Sequence, residues 1–113
     1  MKRYLISFDD GWMNYSNAED LASLGEASRK VVREAKDAGV WIFGAGLQTQ
    51  SASVVATDGT ITAGPNPETK AVIGGFSIIE VPSHEEALKW ATKIAVACRC
   101  TQEVRELMYD PES

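Results

Sequence analysis

The densest set of chemically able side chains is Asn66, Glu68, Thr69 and Lys70, in a loop stiffened by Pro65 and Pro67 that leads into Gly74-Gly75-Phe76. A carboxylate and an ammonium two residues apart can share work on a small carbonyl compound: Glu68 moves a proton as acid or base, and Lys70 holds an anionic group or an enolate. Glycines at the start of a strand let a backbone or a ligand come close. Gly74, Gly75 and Phe76, with Asn66 and Lys70, are therefore the expected ligand contacts, above a floor of Trp41 and Phe43. The plainer alternative is an exposed Glu68 and Lys70 pair worth little, beside glycines that merely twist a strand. Asp9 and Asp10 either approach the same rim or act as solvated turn formers.

The remaining motifs carry less. His84 is the only histidine and falls in the first turn of a helix, where an imidazolium opposes the helix dipole and exposure is usual. No second histidine or well-spaced cysteine joins it as a metal ligand, so no metal is expected. Cys98-Arg99-Cys100 is a pair of free thiols, with a redox or metal role as the alternative because a flanking arginine lowers a thiol pKa. Gly44-Ala45-Gly46 follows a strand, but position 49 is Thr and a hairpin follows, which excludes a dinucleotide loop. Asn14-Tyr15-Ser16 matches a glycosylation acceptor that needs a secretory context. No organic cofactor is signalled.

The elements that must position these residues are legible from periodicity. Arg3 to Phe8 alternates, with Tyr4, Ile6 and Phe8 on one side and Arg3, Leu5 and Ser7 on the other, as a strand does. Ser16 or Asn17 caps a helix whose stripe is Leu21, Leu24, Ser28, Val31, Ala35 and Ala38, ended by Gly39. Val40 to Phe43 is a second strand. Val54 to Thr57 and Thr60 to Thr62 flank Asp58-Gly59, the signal for a hairpin with a type I′ turn. Ile73 to Val81 is the most β-rich stretch and reads as a central strand. Ser83 and Glu86 form a capping box for a helix running to about Val96, and Thr101 to Met108 alternates as a last strand.

The order βαβ, hairpin, βαβ predicts an α+β, ferredoxin-like βαββαβ sandwich with an inserted hairpin, a single domain over residues 1–113. Both helices of that sandwich cover one sheet face. The other face is also apolar, and leaving it in water forgoes roughly 1.5–3 kcal/mol per large side chain. A second copy laid sheet to sheet is the economical cover, since two-fold homodimers are the commonest oligomers. The hairpin folding back as a lid is the alternative.

Composition excludes other classes. The 113 residues carry 11 Lys and Arg against 16 Asp and Glu, a net charge of −5, which argues against a general grip on nucleic-acid phosphates. The apolar runs are too short to span a membrane. MKRYLISFDDGW contains no secretory apolar stretch, so a cytoplasmic protein is expected.

From Ala38 onward the residues resemble a known family. Ala38-Gly39-Val40, Gly44-Ala45-Gly46-Leu47-Gln48, Asp58-Gly59, Gly64-Pro65, Glu68-Thr69-Lys70, Gly74-Gly75-Phe76, Ile79-Glu80-Val81, Glu86-Ala87 and Glu103-Val104-Arg105 together resemble YCII-related proteins, in the branch named for its Asp-Gly-Pro-Phe (DGPF) motif. The resemblance implies a ferredoxin-like protomer, a dimeric α+β barrel and small-molecule business in a cleft. Relatives include a chloromuconolactone dehalogenase, and muconolactone isomerases and small monooxygenases share the fold. The naming motif reads Ala63-Gly64-Pro65-Asn66 here, and Ser16-Asn17-Ala18 stands where other members carry a histidine. The expected function is the binding of a small acidic or lactone-like ligand in the apolar cleft of a homodimer. The alternatives are a cofactor-independent lyase or isomerase using Glu68, and a regulatory interaction protein associated with transcription.

Overall fold

The computed structural model describes residues 1–9, 13, 15–48, 52–64 and 73–113. In chain order these form β1 (Lys2–Asp9), α1 (Ala18–Asp37), β2 (Trp41–Gly46), β3 (Ser53–Val55), β4 (Ile61–Ala63), β5 (Ile73–Val81), α2 (His84–Cys98) and β6 (Glu103–Glu106). One sheet has the order β2-β5-β1-β6 with every neighbour antiparallel, and β3 pairs with β4. β5 fills the gap between β1 and β2, and β1 fills the gap between β5 and β6. Two split βαβ units interlocked in this way are the ferredoxin-like α+β arrangement expected from the element order.

Side chains at the helix starts satisfy amides that the helix leaves without partners. Asn17 Oδ1 accepts the Asp20 N–H at 2.9 Å, and Ser83 Oγ accepts the Glu86 N–H at 3.2 Å. Glu86 sends its carboxylate to Lys89, 3.4 Å away. α2 runs two residues past the expected Val96 and stops at Arg99, which takes a left-handed φ of 52° and ψ of 47°. That conformation costs a non-glycine residue about 1–2 kcal/mol. The Asp20 carboxylate, 2.6 Å from Arg99 Nη1, holds the side chain from the first turn of α1.

The core lies between the helices and one sheet face. Tyr4 and Ile6 of β1, with Ile79 and Val81 of β5, are fully buried beneath Ala87, Ala91 and Ile94 of α2. The alanines let α2 lie close to the sheet, and each large side chain so buried contributes about 1.5–3 kcal/mol.

Two expectations about the hairpin are corrected. Only Gly59 has a positive φ, 89°, and Asp58 does not, so the turn is not type I′. Gly59 N–H reaches the Ala56 carbonyl at 2.9 Å and Ala56 N–H reaches the Thr60 carbonyl at 2.8 Å, a longer loop with glycine in the left-handed place. The Asp58 carboxylate favours it by accepting the Thr60 N–H at 2.9 Å, and that bond lowers the carboxyl's pKa. The hairpin is also no lid. Its strand residues are exposed except for the half-buried Val54, and Phe43 on the bare sheet face stays 56% exposed.

Candidate functional site

Alternation along β1 and β5 turns Tyr4, Ile6 and Ile79 toward the helices and Leu5, Ser7, Phe76 and Ile78 the other way. The register lines the second set up across the sheet. Phe43 stands opposite Ile78, Ile78 opposite Leu5, and Leu5 opposite Arg105. The adjacent row is Ala45, Phe76, Ser7 and Glu103. Phe43 and Phe76 meet diagonally, their ring centroids 6.0 Å apart and their planes tilted by 48°.

Charge borders these rows. Arg105 Nη2 lies 3.0 Å from Glu103, and Arg3 Nε lies 2.8 Å from Glu80 beside the Phe43 row. Both pairs are exposed enough to contribute little to stability. Their guanidiniums can turn to another carboxylate without leaving a buried charge behind. The uncovered face is thus an apolar strip, Phe43, Ile78 and Leu5, that ends on a guanidinium.

The sequence-predicted residues are distributed differently from the expectation. Trp41 and Phe43 do not form one floor. The ladder steps from Trp41 opposite Ile79 to Phe43 opposite Ile78, so β2 carries an extra residue and the two rings point to opposite faces. Trp41 packs against the core and its ring lies over Gly44, where an added Cβ would come within 2.7 Å of it. Gly75 is glycine for a similar reason: its missing Cβ would lie 2.8 Å from the ring of Phe8, on the helix side. What approaches Gly75 is the chain's own aromatic ring, so this residue does not face the bare strip. Gly74 accepts the Leu47 N–H at 2.9 Å, prolonging the β2 and β5 ladder, and Phe76 is on the bare face. Asn66, Glu68, Thr69, Lys70 and Asp10 lie outside the described residues.

Sequence reasoning missed Leu5, Ser7, Ile78 and Arg105. The alternation in Arg3 to Phe8 already placed Leu5 and Ser7 away from the core. Nothing local announces that Arg105 pairs with Leu5, because the contact joins residues a hundred positions apart.

The other titratable groups are elsewhere. The buried Tyr4 phenol, 3.4 Å from Glu106, has its pKa raised by burial first and by the Glu106 charge second. Burial likewise pushes the Cys100 thiol up, with Cys98 and Asp9 adding to it. Cys98 Sγ sits 3.1 Å from Ser28 Oγ, and both cysteines are free thiols. His84 is exposed, 5.8 Å from the Tyr4 ring. A groove of about 610 Å³ between α1 and α2, lined by Leu24, Ala27, Val31 and Val96 among others, contains none of the expected site residues. Among the described residues no three His, Cys, Asp or Glu side chains gather as a metal would require, and no helix is long and apolar enough to cross a membrane.

A search of curated proteins finds no match for the chain. The family model of the YCII-related domain matches residues 7–108. That span begins inside β1 and ends beyond β6, taking in both βαβ units and the hairpin between them. The chain belongs to the YCII-related domain family.

Proposed function

We propose that the protein is a cytoplasmic, small-molecule-binding homodimer of the DGPF-type branch, in which two copies set their bare sheet faces together and hold an organic acid or lactone between them. The observation that carries this reading is the Phe43 and Phe76 pair, an aromatic contact on the sheet face away from the helices, with Phe43 56% exposed and Phe76 half-buried. Such a patch favours association with another surface. The apolar row ending at Arg105 suits a ligand with a hydrocarbon body and one anionic or carbonyl end, because a planar guanidinium takes a carboxylate in two parallel hydrogen bonds. Membership of the YCII-related family supports the sheet-to-sheet dimer through the barrel that the resemblance implies.

Thermal unfolding in the presence of a panel of aliphatic and aromatic carboxylates and five-membered lactones tests this. A binding compound at about a hundred times its Kd raises the melting temperature by roughly 10 °C, and Arg105→Gln removes the rise for the carboxylates. A flat response across the panel contradicts the reading.

A further inference from the structure

One face of the β3–β4 hairpin carries Ser53, Val55, Ile61 and Ala63, and it is open to water. Val55 is 64% exposed and its cross-strand partner Ile61 is 68% exposed. Asp58, in the turn, is the only charged residue between positions 52 and 64. On the other face Val54 and Ala52 crowd Gly64, where an added Cβ would come within 2.9 Å of the valine and 3.1 Å of the alanine. Two strands of three residues do not hold together in water on this little packing. The hairpin needs a surface that the described protomer does not provide.

We infer that each hairpin is an arm that lays its Val55 and Ile61 face on the second copy, along the rim of the cleft floored by that copy's Phe43 and Phe76, so that each cleft is complete only with the partner's arm. This rests on the sheet-to-sheet dimer proposed above. The area fits a second copy: four strands spaced about 4.8 Å apart and roughly 22 Å long project onto a plane of roughly 400 Å², side-chain relief adds accessible surface to that, and an arm from each subunit adds more toward the ~800 Å² that a standard interface takes from each partner. The point of insertion agrees. The hairpin lies in the chain between β2 and β5, past the Leu47 and Gly74 bond that prolongs their ladder, and these are the strands that bear Phe43 and Phe76. Its chemistry agrees too. A neutral surface of valine, isoleucine, alanine and serine fits an apolar face and offers nothing to a highly charged partner.

Sedimentation equilibrium of the full chain and four variants separates the outcomes. Val55→Lys with Ile61→Lys raises the dimer Kd by at least about thirtyfold, whereas Thr62→Lys on the opposite hairpin face changes it less than about threefold. Far-ultraviolet circular dichroism confirms that each variant keeps its helices. Replacement of residues 53–63 by a short Gly-Ser linker gives the same weakening as the double lysine variant. If the lysine and linker variants dimerise like the parent while Phe43→Asp dissociates, the arm is wrong and the sheet-to-sheet dimer stands. If Phe43→Asp leaves the dimer intact, or the parent chain is a single subunit, the dimer reading fails and the arm fails with it.

Discussion

Trp41 and Phe43, two residues apart in β2, point to opposite faces of the sheet because the ladder to β5 slips by one residue between them. Regular alternation would put both rings on the same side. The extra residue sends Trp41 into the core over Gly44 and leaves Phe43 beside Phe76 in solvent. One short bulge therefore decides which aromatic builds the fold and which is available for function.

The two rings should answer differently to truncation. Trp41→Ala costs about 2 kcal/mol or more in urea unfolding, from lost burial and the cavity left in the core against which the ring packs. Phe43→Ala, measured at dilution where subunits part, changes stability by less than about 1 kcal/mol, since that ring is 56% exposed. Equal losses would mean that both rings share one environment.

Gly75→Ala should destabilise the protomer by about 1–3 kcal/mol, because the new methyl meets the Phe8 ring at 2.8 Å and the Ala45 carbonyl oxygen at 3.0 Å. Phe8→Leu in the same chain relieves the ring contact, and the double variant recovers part of the loss. A Gly75→Ala chain as stable as the parent, by urea titration, contradicts the placement of Phe8.

Most of the framework was legible in the sequence because it rests on local signals. The alternation in Arg3 to Phe8, the caps at Asn17 and Ser83 and the β-branched run from Ile73 each act within a few residues, and the observed elements follow them. The Arg99 stop was not legible: arginine has no preference for the left-handed region, and its partner Asp20 is 79 positions away. The site was legible only in part. Phe43 and Phe76 lie on the face away from the helices, but the slip in β2 and the pairing of Leu5 with Arg105 depend on register, which separated segments set together.

Asp20 gives the fold an acid-sensitive joint. Its carboxyl is held below the ordinary 3.8 chiefly by the hydrogen bond from Arg99 and then by the Ser16 backbone N–H. A carboxyl whose pKa is lower folded than unfolded adds stability that is complete above its ordinary value and is lost as pH falls through the folded value. Stability should therefore decline below about pH 4, and Asp20→Asn should flatten that part of the curve while lowering the plateau slightly. Urea titrations from pH 7 to pH 2 measure this, and an unchanged acid limb in Asp20→Asn would assign the loss to other carboxylates.

The two thiols should react in order. Cys100 is 5% exposed with its pKa raised, whereas Cys98 is half-buried beside Ser28. An aromatic disulfide reagent at pH 8 modifies Cys98 first, and Cys100 only as the protein opens. Cys98→Ser removes the fast phase; its survival would show that Cys100 is the accessible thiol.

In the proposed dimer a second copy shelters the face bearing Phe43, Ile78 and Leu5. Sedimentation equilibrium of the unmodified chain at micromolar concentration tests it most directly. The expected mass is twice the 12.3 kDa of one chain, falling to a single chain in Phe43→Asp; a 12.3 kDa particle from the unmodified protein would rule the dimer out.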